Sequence, residues 1–490
     1  MSASTAANAV TGVNDGFVLV AKRDCQTCEL VQPVVRELVG GPRTIAVYSQ
    51  DDPTFPEGVA GVRDDRALEV SFRLAIETVP TLIRMEGGRE IERVVGWQRD
   101  EWRALTGVNS LGEGLPEWRP GCGSKSVEPG IVDELEIKYG DVAFQSRRIE
   151  IDPHEDEIEA MYSRGWSDGL PLVPPTRLRV HRMLKGTARK PSDVLGLLPP
   201  DLQPVTVEKV AVNAVMAGCA PEYMPVVIAA VEAVLLEPFN MHGVLATTMF
   251  CTPVVIVNGP VARAIGMNAR GNALGQGNRA NATIGRAVQL CVRNVGGGRP
   301  QGVDRSTLGT PGKYTFCFAE DEEHSFWEPL SVERGFAAGV STVTVFAGDA
   351  VHGIVDQQSR TPESLSRTFA LSLRGVNHWK LAQGADAILV VCPEHERTFR
   401  AAGWTKARLR QELDGLLQLP AEEVVRGASG IAEGVPAAAL GDRKTIAKFR
   451  KDGLLIVRAG GDAGMFSAMI AGWGASGAIG STPVTHAIKD

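Results

Sequence analysis

Short apolar runs separated by polar, glycine-containing turns recur along the chain and predict an α/β protein. The first run, at 16–21, is apolar and β-branched and predicts a buried strand, and the stretch at 29–39 predicts a helix after it. Further strands are predicted at 253–257, 314–319, 341–347, 387–391 and 453–457. Because several of these are followed by a helical pattern, we expect mostly parallel strands in the larger part of the chain.

Changes in composition divide the chain into four parts. We expect a disordered tail at 1–14, a compact domain at 15–107, and a linker or extended arm at 108–165, which is marked by glycines and prolines. Residues 166–490 predict a large α/β substrate domain, either single or divided into two subdomains near 340–385. A chain of 490 residues is too long for one ordinary core, which agrees with more than one domain.

Two cysteines stand at the junction of the first predicted strand and helix. Cys25 and Cys28 form a Cys-x-x-Cys, and the junction places the first sulfur at a helix N-terminus, where backbone N–H groups favour a thiolate. Thiol–disulfide exchange requires such a thiolate, so we expect Cys25 to attack and Cys28 to resolve the mixed disulfide. A plain disulfide or half of a zinc site is the alternative, but no second Cys-x-x-Cys is present to complete a zinc knuckle.

Residues 15–107 resemble thioredoxin. Besides the Cys-x-x-Cys, a Val-Pro-Thr sequence around Pro80 precedes two predicted strands, where the thioredoxin family keeps a cis-proline against its active-site disulfide. The resemblance implies a thioredoxin-like fold, a redox-active disulfide between Cys25 and Cys28, and Pro80 beside it. The chain departs from the family in its central Gln-Thr dipeptide and in lacking a tryptophan before the first cysteine, which leaves the reduction potential open.

A pocket wall and an anion-binding loop are predicted in the large domain. Prolines hold the stretch 165–176 extended, and its Asp168 is a candidate substrate-binding residue. The asparagine- and glycine-rich stretch 266–286 leads into a helix, and such a loop can cradle a carboxylate or phosphate. Its candidate ligand-binding residues are Asn278, Arg279, Asn281 and Arg286. The Gly-Lys-Ser/Thr of a nucleotide-binding loop is absent, and the alternative is a structural loop whose asparagines bond their own backbone.

Polar or glycine-rich turns follow three of the predicted strands. Because ligands bind at the carboxyl ends of strands in open α/β sheets, we expect these turns to share one rim. Their candidate site residues are Asp349, His352, Cys392, His395, Gly460, Gly461 and Asp462. Cys392 has the best placement among the thiols of the large domain, at a strand end and helix start. The turn at 460–464 is itself predicted to lead into a helix.

Cys219 and Cys122 are the next candidate catalytic thiols. Cys122 lies between two glycines in the predicted arm, so we expect an exposed thiol whose thiolate Lys125 helps to stabilise. An incidental arm thiol is the alternative. Apolar neighbours typical of core cysteines surround Cys251, Cys291 and Cys317.

The large domain also resembles an uncharacterised group of bacterial proteins that accompany the UGSC selenoprotein or cysteine family. The resemblance covers residues 165–490 and rests on four stretches, 166–176, 216–225, 278–286 and 309–313. It implies thiol or selenol redox chemistry and names no substrate. The chain has Cys-Gly-Ser-Lys at 122–125, which lacks the second cysteine of a UGSC motif.

The leading hypothesis is a thiol-dependent redox enzyme. Its thioredoxin-like domain would exchange electrons with a thiol-based α/β domain that acts on a small anionic molecule, by reduction or by cleavage of a carbon–heteroatom bond. One alternative is a metalloenzyme, whose candidate ligands are Glu320, His324, His352, Cys392 and His395, although no pair has the spacing of a strong metal motif. Another is a non-enzymatic protein that docks a redox partner. The leading hypothesis requires no cofactor besides the redox-active disulfide.

Composition narrows the partners and the compartment. The net charge of −7 argues against nucleic acid as a main partner, and eight cysteines in 490 residues are too few for a disulfide-stapled secreted protein. The first residues lack the basic and apolar regions of a signal peptide, and the most apolar stretch, 244–257, is interrupted by threonines and a proline. We therefore expect no membrane span, and a cytoplasmic homo-oligomer with a small-molecule substrate and a redox protein partner.

Overall fold

The computed structural model describes residues 10–489, and its contacts divide the chain between Ala143 and Phe144 into two compact units. Both units combine helices with strands, which confirms the general α/β class. The boundary falls inside the range predicted as an arm, because Leu111 is fully buried in the core of the first unit. Residues 108–143 therefore belong to unit 1, and 144–165 belong to unit 2.

Unit 1 contains a five-stranded sheet and two short strand pairs. The strands are β1 Gly16–Ala21, β2 Ile45–Ser49, β3 Arg63–Asp64, β4 Thr78–Val79, β5 Thr81–Glu86, β6 Arg89–Val95, β7 Trp97–Gln98, β8 Trp118–Arg119 and β9 Cys122–Gly123. The sheet has the order β3-β2-β1-β5-β6, with β1, β2 and β3 parallel and β5 and β6 antiparallel to their neighbours. The short antiparallel pairs are β4–β9 and β7–β8. The helices are Gln26–Leu30, Gln32–Val39, Glu69–Arg73, Arg99–Thr106 and Ile131–Tyr139.

The central strand β1 separates the two cores of unit 1. Successive side chains of a strand point to opposite faces, so Phe17 and Leu19 join one apolar cluster and Val18 and Val20 join the other. The second cluster also contains both cysteines of the Cys-x-x-Cys. These thiols therefore lie at the edge of a rigid core, at the carboxyl end of the central strand.

Two predicted features of unit 1 need correction. Residues 1–9 of the predicted disordered tail lie outside the described residues, but Val13 is only 2% exposed and packs into the core. A helix is also expected at 64–76, whereas the structure has only the short helix Glu69–Arg73. The reason is local, because Leu68 adopts a left-handed conformation and Asp65 accepts the first free N–H groups of that helix.

Unit 2 contains a seven-stranded sheet surrounded by helices. Its strands are β10 Val194–Leu198, β11 Gln203–Thr206, β12 Thr252–Asn258, β13 Cys317–Ala319, β14 Thr342–Val355, β15 Ala387–Val391, β16 Gln418–Pro420, β17 Thr445–Ala447, β18 Leu454–Arg458, β19 Phe466–Gly472 and β20 Val484–Ala487. Its helices are Glu157–Ser163, Arg177–Leu184, Val207–Ala217, Met224–Leu235, Met241–Ala246, Pro260–Ala264, Arg279–Asn294, Leu330–Glu333, Pro362–Arg374, Pro393–Ala401, Lys406–Leu416, Ala421–Val424 and Ala437–Leu440.

The prediction of mostly parallel strands in the large domain is wrong. The sheet has the order β13-β12-β14-β19-β15-β18, with β20 paired to β14, and only β12–β13 and β15–β18 are parallel. The reason lies after the glycine-rich turn at 460–464, where the expected helix is instead the strand β19. This strand returns antiparallel to both β14 and β15.

Helices pack against the outer face of the unit 2 sheet, and a second apolar cluster lies on its inner face. On β12, Val255 and Val257 contact the cluster formed with helices such as Arg279–Asn294, whereas Val254 and Ile256 belong to the inner cluster. The inner cluster also contains residues of β15, β18 and β19. The long strand β14 crosses the start of the range 340–385, where a division into subdomains was an option, and residues 144–490 form one compact unit.

Within residues 10–489, no single helix is both long and apolar enough to cross a membrane. One bent pair of helical segments, Pro221–Leu235 with Glu237–Ala246, meets the criterion by length and composition, with a bend of 72°.

Candidate functional site

Three cysteines meet at the carboxyl end of β1. Cys25 caps the helix Gln26–Leu30, and the backbone N–H of Cys28 donates to its sulfur at 3.2 Å. The Cys25 sulfur also lies 3.5 Å from the carbonyl oxygen of Val79, which precedes Pro80 through a cis peptide bond. Cys122 is directly opposite Val79 in the β4–β9 pair, so β9 brings a third cysteine to the strand end that holds Cys25.

The segment that carries Cys122 is held against the Cys-x-x-Cys by side chains from within that motif. Thr27 donates its hydroxyl to the carbonyl oxygen of Pro120 at 2.6 Å, and Arg119 donates to the Gln26 amide oxygen at 2.6 Å. A Cβ at Gly121 would lie 2.7 Å from the carbonyl oxygen of Val79, so only glycine permits this close approach. The two residues between the cysteines therefore hold a third thiol in place.

The contacts make the three thiols chemically unequal. Hydrogen bonds from the Cys28 thiol, from the Cys122 thiol and from nearby backbone N–H groups lower the pKa of Cys25 to about 5, although burial opposes them. Burial and the neighbouring Cys25 sulfur raise the pKa of Cys28 well above its ordinary value. Cys25 is thus a thiolate at neutral pH and Cys28 is a thiol, which is the arrangement that thiol–disulfide exchange uses.

The prediction of an exposed Cys122 thiol activated by Lys125 is wrong. Cys122 is partly buried, and burial together with the adjacent Cys25 raises the pKa of its thiol. The backbone N–H of Lys125 donates instead to the Gln50 side chain at 3.1 Å, as part of a turn after β9. Pairing of β9 with β4 explains the difference, because it covers part of Cys122 and places it opposite Val79, beside the Cys-x-x-Cys.

A second thiol site lies in unit 2, where β15 ends and the helix Pro393–Ala401 begins. His395 is fully buried, with its Nδ1 at 2.7 Å from the Ser467 hydroxyl and its Nε2 at 2.9 Å from the carbonyl oxygen of Asp356. Because a carbonyl oxygen can only accept, Nε2 carries a proton. The same Ser467 hydroxyl accepts the backbone N–H of Cys392 at 3.1 Å, so strand β19 positions both members of the pair.

Cys392 and His395 shift each other's pKa values toward a thiolate and an imidazolium. Burial raises the pKa of Cys392, but hydrogen bonds from His395 and Ser467 outweigh it and leave the pKa below its ordinary value. Burial lowers the pKa of His395, and its contacts with Cys392 and Asp356 outweigh that in the opposite direction. A mutually stabilised Cys–His pair is the usual form of an activated nucleophilic thiol.

The glycine-rich turn after β18 lies beside Cys392. A Cβ at Gly460 would be 3.7 Å from the Cβ of Cys392, and the Gly460 N–H donates to the carbonyl oxygen of Ala269 at 3.0 Å. Gly461 approaches Gly271 closely, and Asp462 forms an exposed ion pair with Arg270. The turn therefore connects the 266–286 loop to the Cys392 site. Asp462, a predicted substrate-binding residue, instead has its charge matched by Arg270.

Three of the candidate metal ligands, Glu320, His324 and His395, already have hydrogen-bond or ion-pair partners. Glu320 pairs with Lys406 at 3.3 Å, and it accepts the Leu330 N–H at 2.7 Å. His324 lies 2.8 Å from Asp321 through Nδ1. His352 is an exposed residue of β14, at a register position opposite Met469. Asp349, also on β14, has a pKa raised by burial.

The residues predicted to bind an anion in the 266–286 loop hold the loop together instead. Asn278 caps the helix Arg279–Asn294, and Asn281 bonds the backbone of Asn268. Arg279 donates to the carbonyl oxygens of Gly218 and Cys219. The structural alternative therefore describes these asparagines and this arginine.

Arg286 has a different partner and connects two of the predicted motifs. It donates to both carboxylate oxygens of Asp168 at 2.8 Å, and the two side chains are 14% and 11% exposed. The extended stretch 165–176 is thereby fixed to the helix Arg279–Asn294.

The surroundings of Cys219 disfavour the thiolate that a catalytic role would need. It donates to the carbonyl oxygen of Thr283 at 3.3 Å, and burial raises its pKa to about 12. Burial likewise raises the pKa of Cys251 to about 12, and it also raises the pKa values of Cys291 and Cys317. These four thiols remain protonated at neutral pH.

A cavity of about 410 Å³ in unit 2 brings together residues that the motifs only partly indicated. Its charged lining residues are Asp168, Asp304, Arg293 and Lys313. Asp168 pairs with Arg286, and Asp304 pairs with Lys313 at 2.9 Å, so the charge left unmatched is that of Arg293. The buried Nε of Arg293 has no hydrogen-bond partner among residues 10–489.

Arg293 is the cavity residue that the sequence interpretation missed. Arg279, Arg286 and Arg293 are spaced by seven residues, or about two helical turns, so they lie along one face of the same helix. This spacing was the available signal. Burial and the nearby Arg299 lower the pKa of Arg293 and outweigh the opposing charge of Asp168, which is the effect expected of a buried cation without a directly bonded counter-ion.

Comparison of the chain with protein-family models, with curated proteins and with solved structures gave no match.

Proposed function

We propose that unit 1 is a thioredoxin-like thiol–disulfide oxidoreductase. The observation that carries the proposal is the different setting of two thiols at one strand end: the backbone N–H of Cys28 donates to the Cys25 sulfur at 3.2 Å, whereas the Cys28 side chain is fully buried. These surroundings lower the pKa of Cys25 to about 5 and raise the pKa of Cys28 well above its ordinary value. The order of the five strands, the position of the Cys-x-x-Cys after β1 and the placement of Val79 and Pro80 beside Cys25 support the thioredoxin-like assignment.

The reaction follows from the roles of the two thiols. The Cys25 thiolate attacks one sulfur of a substrate disulfide, which forms a mixed disulfide and releases a substrate thiolate. Cys28 then loses its proton and attacks the Cys25 sulfur, which forms the Cys25–Cys28 disulfide and releases the second substrate thiolate. The substrate disulfide gains two electrons and the Cys-x-x-Cys loses two.

Reduction of a protein disulfide by the full-length reduced chain tests the proposal. We expect Cys25→Ser to abolish turnover, and Cys28→Ser to stop the reaction at a mixed disulfide that mass spectrometry detects. Cys219→Ala is the matched control, because that thiol has a pKa of about 12 and should leave the rate unchanged. Equal rates for all four proteins would refute the proposal and favour a docking role.

For unit 2, we propose that the 410 Å³ cavity binds a small monoanion such as a carboxylate. The supporting observation is the single unmatched cation, Arg293, among lining charges that otherwise pair. Arg293→Gln should raise the midpoint concentration at which acetate or propionate stabilises the protein against heat. Arg408→Gln is the control, since Arg408 pairs with Glu412 on the helix Lys406–Leu416 and does not line the cavity. Identical midpoints for both variants would contradict the assignment.

A nucleophilic thiol is the second candidate function of unit 2. The observation that favours it is that Cys392 and His395 are both buried and both contact the Ser467 hydroxyl, Cys392 through its backbone N–H and His395 through Nδ1. Transfer of electrons between the unit 1 disulfide and Cys392 stays a prediction. A disulfide between Cys25 and Cys392 in the Cys28→Ser variant, detected by peptide mass spectrometry, would support it, and full recovery of Cys392 as a free thiol would count against it.

A further inference from the structure

We infer that Cys122 is a built-in exchange partner of Cys25, and that a Cys25–Cys122 disulfide is a second oxidised form of the protein. The inference rests on the proposed oxidoreductase function and adds a third reacting thiol to it. The segment 118–124, called here the return segment, then acts as an intramolecular substrate.

The first support is the register of the β4–β9 pair. Cys122 lies opposite Val79, and Thr78 lies opposite Gly123. Side chains directly opposite each other in an antiparallel pair are about 5 Å apart at Cβ. The Cys25 sulfur is itself 3.5 Å from the carbonyl oxygen of Val79, and Cys122 packs against the apolar cluster that contains Cys25 and Cys28.

The second support is that the return segment is fixed on both sides of Cys122. Before it, Thr27 donates to the Pro120 carbonyl oxygen at 2.6 Å. After it, the Ser124 N–H donates to the Glu77 carbonyl oxygen at 2.9 Å, and Gln50 donates to the Ser124 hydroxyl at 2.6 Å. These contacts set the register of a strand that is only two residues long.

The third support is a pair of glycines that allow the backbones to touch. A Cβ at Gly121 would be 2.7 Å from the Val79 carbonyl oxygen, and a Cβ at Gly96 would be 2.8 Å from the Gly121 nitrogen. Any other residue would push the return segment away from β4. The local sequence therefore favours close approach over a free, exposed arm.

The exchange balances without an outside oxidant once the Cys25–Cys28 disulfide exists. The Cys122 thiol loses its proton, and its thiolate attacks the Cys25 sulfur. The Cys25–Cys122 bond forms, the Cys25–Cys28 bond breaks, and Cys28 leaves as a thiolate that takes up the proton. Cys122 can also attack Cys25 in a mixed disulfide with an outside thiol, which releases that thiol.

Oxidised glutathione and the full-length Cys28→Ser variant test the inference. We expect Cys25 first to take up one glutathione and then to lose it as the Cys25–Cys122 disulfide forms, which peptide mass spectrometry after acid quenching identifies. The matched control is Cys28→Ser with Cys122→Ser, in which the glutathione should stay on Cys25. The serine retains a hydroxyl donor, and Cys122→Ala in the same background repeats the test without one.

Two results would overturn the inference, and they differ. If Cys28→Ser keeps glutathione on Cys25 as firmly as the double variant does, Cys122 is not an exchange partner, while the proposed oxidoreductase stands. If Cys25 takes up no glutathione even in the double variant, the proposed oxidoreductase fails, and the inference fails with it.

Discussion

Cys25 and Cys28 are only three positions apart, yet their pKa values are shifted in opposite directions because their contacts differ. Cys25 receives hydrogen bonds from two thiols and from backbone N–H groups, which stabilise its charge. Cys28 is enclosed by apolar side chains of the unit 1 core, which disfavour a charge. The spacing of the motif predicted the two roles, and the strength of the asymmetry depends on neighbours that the spacing does not reveal.

The pH dependence of Cys25 follows from this asymmetry. In the reduced protein, the rate of alkylation by iodoacetamide should rise with pH through a midpoint near 5. Since Cys28 is the largest contributor, Cys28→Ala should move the midpoint upward by more than Cys122→Ala does. Cys122→Ser keeps a donor and should move it least. A midpoint near 8.5 in the wild type, the ordinary value for cysteine, would contradict the assignment.

The same group makes stability depend on pH. The unfolded chain binds the Cys25 proton below about 8.5, whereas the folded chain binds it only below about 5. Between these values the unfolded state holds more protons, so the contribution of Cys25 to the free energy of unfolding falls as pH falls and is lost through about 5. Urea unfolding of the reduced wild type and of Cys25→Ala, compared at several pH values, measures it. Parallel curves would contradict the expectation.

His395 provides a residue-scale test in unit 2. Without the imidazolium, burial of Cys392 is opposed mainly by the Ser467 hydrogen bond, so His395→Gln should raise the pH midpoint of Cys392 alkylation. His154→Gln is the matched control, because His154 is an exposed histidine that neither Cys392 nor His395 has as a partner. The same midpoint in His395→Gln and in the wild type would show that the pair is not coupled.

At the scale of elements, the ion pair between Asp168 and Arg286 fixes an extended segment to a helix. Arg286→Gln leaves a nearly buried carboxylate without its partner, so we expect the free energy of unfolding to fall by about 3 kcal/mol. Asp168→Asn together with Arg286→Gln removes the stranded charge and should recover part of the loss. Urea unfolding measures both. A single variant as stable as the wild type would contradict the prediction.

The helix Arg279–Asn294 also packs through a glycine. A Cβ at Gly285 would lie 2.6 Å from the Thr315 hydroxyl and 2.8 Å from the Phe316 nitrogen, so Gly285→Ala should cost about 1–3 kcal/mol despite the better helix propensity of alanine. Gly415 in the helix Lys406–Leu416 has open space around its Cβ position, and Gly415→Ala should stabilise by about 0.5–1 kcal/mol. Thermal unfolding of both variants checks the difference in sign.

The secondary structure of single segments was predictable where pattern and length agreed. The buried strand β15 matches its apolar run, and the cap at Asn278 marks the start of its helix. The strand β19 was not predictable in the same way. Its run of small and apolar residues fits either a helix or a strand, and only pairing with β14 and β15 decides between them.

At the scale of the whole chain, the sequence could indicate which residues are reactive or charged, but not which distant segments contact each other. Cys25 and Cys28 were found from local spacing, whereas Cys122 reaches them only because β9 pairs with β4 across more than forty positions. Arg279 and Arg286 attracted attention as loop cations, but their partners, Gly218 and Asp168, come from other segments. The position of Arg293 in the cavity wall depends on the segments that pack around its helix, which the sequence pattern does not identify.

The strand β14 belongs to two parts of the unit 2 sheet at once. Its first half pairs with β12 and β20, and its second half pairs with β19. Both halves belong to one continuous strand, so breaking the hydrogen bonds of one half also loosens the pairing of the other. We therefore expect the two halves to open cooperatively. We expect the amides of Val345 and Ile354 to exchange hydrogen with the solvent at rates set by one common opening free energy. Structurally, a ligand that tightens one end of this strand would slow exchange at the other.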